Sequence, residues 1–482
     1  MDRREFCLGT ISLGATMALP PIEEKSTTQN QPIRASYWAH QNLEVTGLWK
    51  PRLIEGQIPT DLNGSLYRFG AGKKESYGER LKHFFDGDGF VSRFDFSQGR
   101  LSILSEFIET EARLKEIQEQ KMLYLEFGTK PQGKIHGLKN SPNISGILWE
   151  NQLLALSESS SPYALDPKSL ETQGLQRFQN SLPKNLGFSA HPKIESSTGD
   201  LISFGLTQEL SPQFKIYKIS KKQKIFQEIH SLKLGGFYPV HDMAQSEDYL
   251  VFLVPPVKVN LWGAAFGRKP IADLIESDDK KNLQLLVAPK NAKSPPIMLD
   301  TNIKNMNFHH VRAWQEGRFL FLDSFLIEDD SIYQTFKSWS SSLPTNSPHS
   351  KLVRFQIDLN TKKLQVIITL SEPTKSDFPV LLEEGRFVAI SVSQSSSDSL
   401  GFNQILLWDQ SSGSILKKLE LSPGEVLSEV LPCQNYLVHL GYSLHQNESF
   451  LDIRDEKSLQ RISRVWLGNS HPLGFHGFFN QV

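Results

Sequence analysis

Pairs of β-prone runs joined by short acidic turns recur along this chain of 482 residues, and that repetition limits the folds open to it more than any other feature. The turns are "DFSQGRL" from Asp95, "DPKSLET" from Asp166, "ESSTGDL" from Glu195, "DLNTKKL" from Asp358, "DQSSGSIL" from Asp409 and "DEKSLQRI" from Asp455. Asp, Ser and Asn favour turns because their side chains hydrogen-bond the local backbone, and glycine because positive φ is open to it. The flanking runs, among them "LISFGL", "FKIYKI", "YLVFLV", "KLVRFQIDL" and "QILLWD", are rich in β-branched, aromatic and apolar residues, as strands are. Hairpins repeated without interleaved helices argue for an all-β propeller, in which four-stranded blades stand around a common axis. The repeats are too degenerate for their spacing to give a blade count. One helix is expected over 110–124, "TEARLKEIQEQKMLY".

A formal net charge of -1 leaves no electrostatic footprint for nucleic acid, so no such partner is expected. Thirty phenylalanines against six methionines fit either an aromatic core or an aromatic-lined cavity for an apolar ligand, and both readings stay open. The opening "MDRREFCLGTISLGATMALPP", with Arg3 and Arg4 before a weakly apolar stretch, resembles a twin-arginine export signal and is too short to span a bilayer. Residues 1–30 are therefore expected to be signal peptide and linker, cut between Ala18 and Gln31, with 31–482 as one propeller domain exported in folded form. Cys7 would leave with the signal, so Cys433 has no partner for an internal disulfide. At 259–275, "VNLWGAAFGRKPIADLI" sets Leu261, Trp262, Phe266, Ile271 and Leu274 beside Arg268 and Lys269. That segment reads either as a loop packed on the propeller or as a surface that dips into a membrane interface.

The run "HFFDGDGF" at 83–90 is not a calcium hand, because Phe90 stands where a third oxygen donor belongs. Of the thirteen histidines, four come at the edges of β-like runs: His191 in "FSAHPKIESSTGDL", His241 in "YPVHDMAQSEDYLVF", His309 in "NFHHVRAWQEG" and His476 in "PLGFHGFF". On a propeller axis such residues could meet and hold a transition metal, since neutral imidazole suits Fe, Cu or Zn better than Mg or Ca. Spacing alone equally allows ordinary core or surface imidazoles.

Seven strings in order, from about residue 45 to the C-terminus, resemble the carotenoid cleavage oxygenase family: "IEGQIPTDLNGSLYRFGAG", "HFFDGDGFV", "LLALSESSSPYALDPKSLET", "SAHPKIESSTGDL", "VHDMAQSEDYLVF", "FHHVRAWQE" and "GFHGFF". The resemblance implies a seven-bladed β-propeller, with loops and short helices forming a cap over an axial iron site. It implies one non-haem Fe(2+) per chain on His191, His241, His309 and His476, with His310 a neighbour and not a ligand. It implies O2-dependent cleavage of a conjugated C=C bond of an apolar polyene, a carotenoid or apocarotenoid, into two carbonyl products, with no catalytic side chain beyond the metal site. Phe85, Asp86 and Asp88 would then build a structural turn. Three acids are expected to orient the ligand imidazoles: Glu158, Asp377 and Glu425, with Glu429 the rival of Glu425. Asp377 stands in a place where relatives carry glutamate, so it is expected to reach its histidine less directly or through water. The family's "RNGP" is "RFGA" here, with Phe69 and Ala71, and its Asn is Arg312, a cation unfavourable near iron unless it points away or pairs with an acid. Other readings of the site are a stilbene-type phenylpropanoid oxygenase, a retinoid-ester isomerase, or a catalytically silent propeller that only binds.

Overall fold

The structure, a computed structural model, describes residues 42–158, 160–209, 211–260, 269–328, 348–393 and 401–481. Seven antiparallel sheets follow one another along the chain as the blades of a β-propeller. The first holds Gly47–Trp49, Gly64–Ala71, Gly89–Ser97 and Arg100–Phe107; the second runs from Ser145–Trp149 to Thr172–Leu175. The third spans Lys193–Ile194 to Phe226–Leu232, and the fourth Ala244–Gln245 to Ile297–Asp300. The fifth spans His310–Glu316 to Lys363–Thr369, the sixth Ser376–Leu381 to Ile415–Glu420, and the seventh Glu425–Leu427 to Arg461–Trp466.

Both ends of the chain close the ring. The last strand, Gly477–Gln481, joins the first blade beside Gly64–Ala71, from Arg68↔Gly477 to Gly64↔Gln481. Early in the chain, Leu53–Gly56 adds an outer edge to the seventh blade against Arg461–Trp466. Closure of this kind ties residues from opposite ends of the described chain to one axis.

The acidic turns fold as their side chains dictate. Asp166 accepts the backbone N–H groups of Lys168 and Ser169, Asp358 those of Asn360 and Thr361, and Asp409 those of Ser411 and Ser412. In the "DFSQGRL" turn, Gln98 and Gly99 both take positive φ, 49° and 74°, and close a two-residue hairpin between Ser97 and Arg100. Much of the phenylalanine goes between blades: Phe204, Phe214 and Phe252 meet with ring centroids 5.1–5.6 Å apart. Phe325, Phe387 and Trp408 meet between the fifth and sixth blades at 5.7–6.3 Å.

The expected helix is present but shorter, Glu111–Glu119, with Thr110 Oγ1 accepting the Arg113 N–H at its start. It stops at Gln120, which takes left-handed φ of 51°. Beyond it the buried Glu116 carboxylate accepts the N–H groups of Leu123 and Tyr124, which turns the chain back before 124. The other helical turn among the described residues is Ile271–Leu274. Ile271 and Leu274 pack with Phe84, Phe85 and Phe127, so this part of the 259–275 segment faces inward; Leu261, Trp262, Phe266 and Arg268 lie outside the described residues. The segment expected to be signal peptide and linker, residues 1–30, also lies outside them.

Candidate metal centre

Four imidazoles meet on the axis. His191 lies two residues before the opening strand of the third blade, His241 three before that of the fourth, and His309 directly before that of the fifth. His476 directly precedes the closing strand Gly477–Gln481. Their Nε2 atoms stand in sequence 3.1 Å (His191 to His241), 3.1 Å (His241 to His309) and 3.2 Å (His309 to His476) apart. One nitrogen from each of the four lies within 4.8 Å of the others.

The remaining three blades supply acids to the outer nitrogens. Glu158, after the strand Gln152–Leu156, bonds His241 Nδ1. Asp377 Oδ1 lies 3.0 Å from His309 Nδ1, and Glu429 Oε1 lies 3.0 Å from His476 Nδ1. Among the described residues, the one carboxylate within 4.0 Å of His191 is that of Asp242, at 4.0 Å from Nδ1. Two sequence expectations change here. Glu425 does not face the axis; its carboxylate pairs with the buried Arg464, which also binds Asp452, while Glu429 takes the orienting place. The physical cause is a bulge: Glu425–Leu427 and Leu431–Cys433 both pair with Tyr436–Ser443, and the intervening residues, Glu429 among them, are pushed out of the ladder. Asp377, although one methylene shorter than glutamate, reaches His309 directly. The register of its strand slips between Asp377 and Val380, and Phe378 adopts φ of 55°, a conformation an aromatic residue takes only under outside constraint. The Phe378 ring then packs 4.7 Å from that of His309 and 5.0 Å from that of His476.

These contacts fix the electrostatics. A carboxylate can only accept, so it holds the proton of His241, His309 and His476 at Nδ1 and leaves a bare lone pair at Nε2. Burial, then the other three imidazoles, pushes His191 well below its ordinary pKa, and burial outweighs Glu429 in lowering His476. Burial also opposes the charging of His309, but Asp377, Asp242 and Glu429 outweigh it and raise its pKa. Lone pairs facing one another at 3.1–3.2 Å repel unless a cation lies among them. A metal bonded to imidazole nitrogen at about 2.1 Å sets adjacent ligands about 3 Å apart, so the donor set fits a transition metal.

Behind Glu429 stands Arg68, 1% exposed, whose guanidinium bonds Glu429 Oε2 at 3.0 Å and the carbonyls of Leu473 and Phe475 just before His476. Arg312 points away from the imidazoles: it pairs with Asp323 at 3.3 Å, bonds Gln410 and lies over the Trp314 ring. His310 turns aside too, its Nδ1 3.2 Å from Ser324 Oγ. The "HFFDGDGF" run builds a turn, as expected. Asp86 accepts the N–H of Gly128 and the Thr129 hydroxyl, Gly87 takes φ of 103°, and Asp88 binds Lys73, Lys139 and Arg113 at 2.6–2.9 Å. A cavity of about 470 Å³ ends on His241, His309 and His476; Phe84, Phe85, Phe127, Phe237 and Phe308 are among its walls. Of the two readings of the phenylalanine content, the structure contains both.

Fold and site together define a β-propeller with an axial four-histidine metal site beneath an aromatic cavity. The family model for the retinal pigment epithelial membrane protein matches residues 38–481. The chain belongs to that family, the carotenoid cleavage oxygenases. It is 29% identical over 408 residues to apocarotenoid-15,15'-oxygenase of Synechocystis, covering 80% of this chain and 79% of that protein. It is 27% identical over 336 residues to resveratrol cleavage oxygenase 1 of Aspergillus fumigatus, covering 67% and 66%. The fold superposes on a solved mutant of the Synechocystis apocarotenoid oxygenase with a TM-score of 0.83 at 25% identity, over 93% of this chain and 98% of that one.

Proposed function

We propose that this protein is a non-haem Fe(II) dioxygenase that cleaves a conjugated C=C bond of a carotenoid or apocarotenoid, adding both atoms of O2 to give two carbonyl products. The observation that carries this reading is the aromatic cavity ending on three of the four converging imidazoles. His191, His241, His309 and His476 would hold the iron, one per chain. Ferrous iron there would supply the electrons that O2 needs in order to react with a closed-shell alkene. The chain's own part is positional. Glu158, Asp377 and Glu429 keep the imidazole protons on Nδ1, and the phenylalanine walls orient an apolar rod and exclude water. The exported location and a membrane contact through 259–275 belong to the same proposal. Their support is the Arg3–Arg4 signal pattern and, since Ile271 and Leu274 face inward, the remaining apolar residues Leu261, Trp262 and Phe266 beside Arg268 and Lys269.

The test is to load the purified protein with Fe(II) without air, measure iron per chain, then add O2 with a panel of apocarotenoids and hydroxystilbenes. One iron per chain and aldehydes from the polyenes are expected, each carrying an oxygen atom from labelled O2. Products from stilbenes alone would move the substrate to the phenylpropanoids, the class named in the Aspergillus relative. Protein that takes up no stoichiometric iron would leave only a binding propeller.

A further inference from the structure

Among the described residues, one charged side chain that lines the cavity has no protein partner. Of the ionisable groups that line the cavity, Glu126 and Lys139 pair with each other, and Glu158, Asp377 and Glu429 each hold an imidazole. Lys375 lines the same cavity. Among the described residues its ammonium makes no hydrogen bond and meets no carboxylate within 4.0 Å. Its backbone carbonyl accepts the N–H of Val392, so the chain is already extended there against the next strand. Lys375 directly precedes the strand Ser376–Leu381 and stands about 7 Å along the chain from Asp377, the acid that orients His309; the three consecutive residues 375–377 all line the cavity. Between them Ser376, 3% exposed and also on the cavity wall, has a hydroxyl with no hydrogen-bond partner.

An ammonium in this position constrains what can fill the cavity. While water is present it is solvated. Once an apolar rod displaces the water, a lysine facing hydrocarbon loses that solvation with nothing in return. An anionic oxygen at the end of the rod restores a charge-assisted hydrogen bond. We propose that Lys375 is a specificity-determining residue that binds the terminal carboxylate of the substrate, so that the class taken is a conjugated apolar chain ended by a carboxylic acid. The assignment rests on the oxygenase reading for its chemistry, but not for its binding.

Binding is measured on iron-loaded protein held without O2, by quenching of tryptophan fluorescence, with three polyenes of one length ended by carboxylate, aldehyde or methyl. Wild-type protein is expected to bind the acid about tenfold or more tightly than the methyl-ended chain. In Lys375→Met, which keeps the length and loses the charge, the two affinities fall within about twofold of each other, while Lys375→Arg keeps the preference. Thermal melting checks that both variants remain folded. A Lys375→Met protein that still prefers the acid overturns the assignment, and so does a wild-type protein that binds the aldehyde as tightly as the acid. Admitting O2 separates the two readings. If the wild type prefers the acid but cleaves none of the three, the oxygenase reading fails and the Lys375 assignment stands; cleavage of all three with equal KM overturns the assignment alone.

Discussion

Two polar clusters line the cavity, the first buried and the second with Glu158 exposed, and they are balanced in different ways. Beneath the "HFFDGDGF" turn, Asp86, Asp88, Glu116 and Glu126 gather with Lys73, Lys139 and Arg113; Lys139 alone touches Asp88, Glu116 and Glu126 at 2.8–3.0 Å. Burial opposes ionisation of Asp88, yet Lys139, Lys73 and Arg113 hold it well below the usual carboxylate range. Burial and the neighbouring Glu126 push Asp86 up to about 7. Apart from Asp86, whose ionisation is disfavoured, three carboxylates face three cations, so the cluster is close to balanced by its own side chains. On the axis, Glu158, Asp377 and Glu429 surround four imidazoles, and the guanidinium touching this set is Arg68. Asp242, beside His191, is offset by Lys193 at 3.5 Å, so three negative charges against one positive leave an excess of two, which a dipositive ion would cancel. A self-neutral buried cluster serves the fold, whereas one with unmatched charge and converging lone pairs is built for a guest.

The comparison breaks most readily at the metal. His476→Ala is expected to abolish stoichiometric iron binding and to erase the gap in melting temperature between iron-loaded and chelator-treated protein, because a ligand that binds only the folded state stabilises it. A variant that keeps one iron per chain would show the axial cluster to be structural, like its neighbour. Lys139→Met should do the opposite. It leaves Glu116 and Glu126 in the interior without their cation, while Asp88 keeps Lys73 and Arg113, and is expected to cost about 3–5 kcal/mol in urea unfolding, with iron per folded chain unchanged.

Smaller effects sharpen the picture. Glu429→Gln is expected to weaken iron binding about 10–100-fold in competition with a chelator, since it removes the charge that orients His476. Glu425→Gln should leave iron affinity within about twofold and lower stability instead, because its partner is Arg464. A separate effect is on pH. The Asp86 pKa is higher in the folded than in the unfolded chain, so the folded state binds more protons between about pH 4 and pH 7 and loses stability as pH rises through that window. Asp86→Asn removes this titration, and its unfolding free energy should vary less between pH 5 and pH 7 than that of the wild type.

Some of this could be read in the sequence because the contacts that decide it are short. Asp166, Asp358 and Asp409 bond N–H groups two and three residues on, and Thr110 caps the helix it opens. Such contacts are made within one turn whatever the rest of the chain does. The four histidines stood out by their places at strand edges, and family resemblance grouped them. The choice between Glu425 and Glu429 was not legible, because both lie in one apolar stretch and a bulge decides which faces the axis. The direct reach of Asp377 depends on the φ of Phe378, and the direction of Arg312 on Asp323 and Gln410 across two strands. Nothing in the segment around Lys375 marks it as part of a cavity.

The sequence by itself determined the hairpins, their turns and the chemical kinds of side chain available to a site. The tertiary structure decided which of those side chains meet. His191 and His241 are 50 residues apart, His309 and His476 are 167 apart, and Arg68 and Glu429 are 361 apart. Local hydrogen bonds cannot encode a meeting across such distances. Only closing the ring, with the first and last blades tied by strands from the opposite end of the chain, brings these groups to one axis.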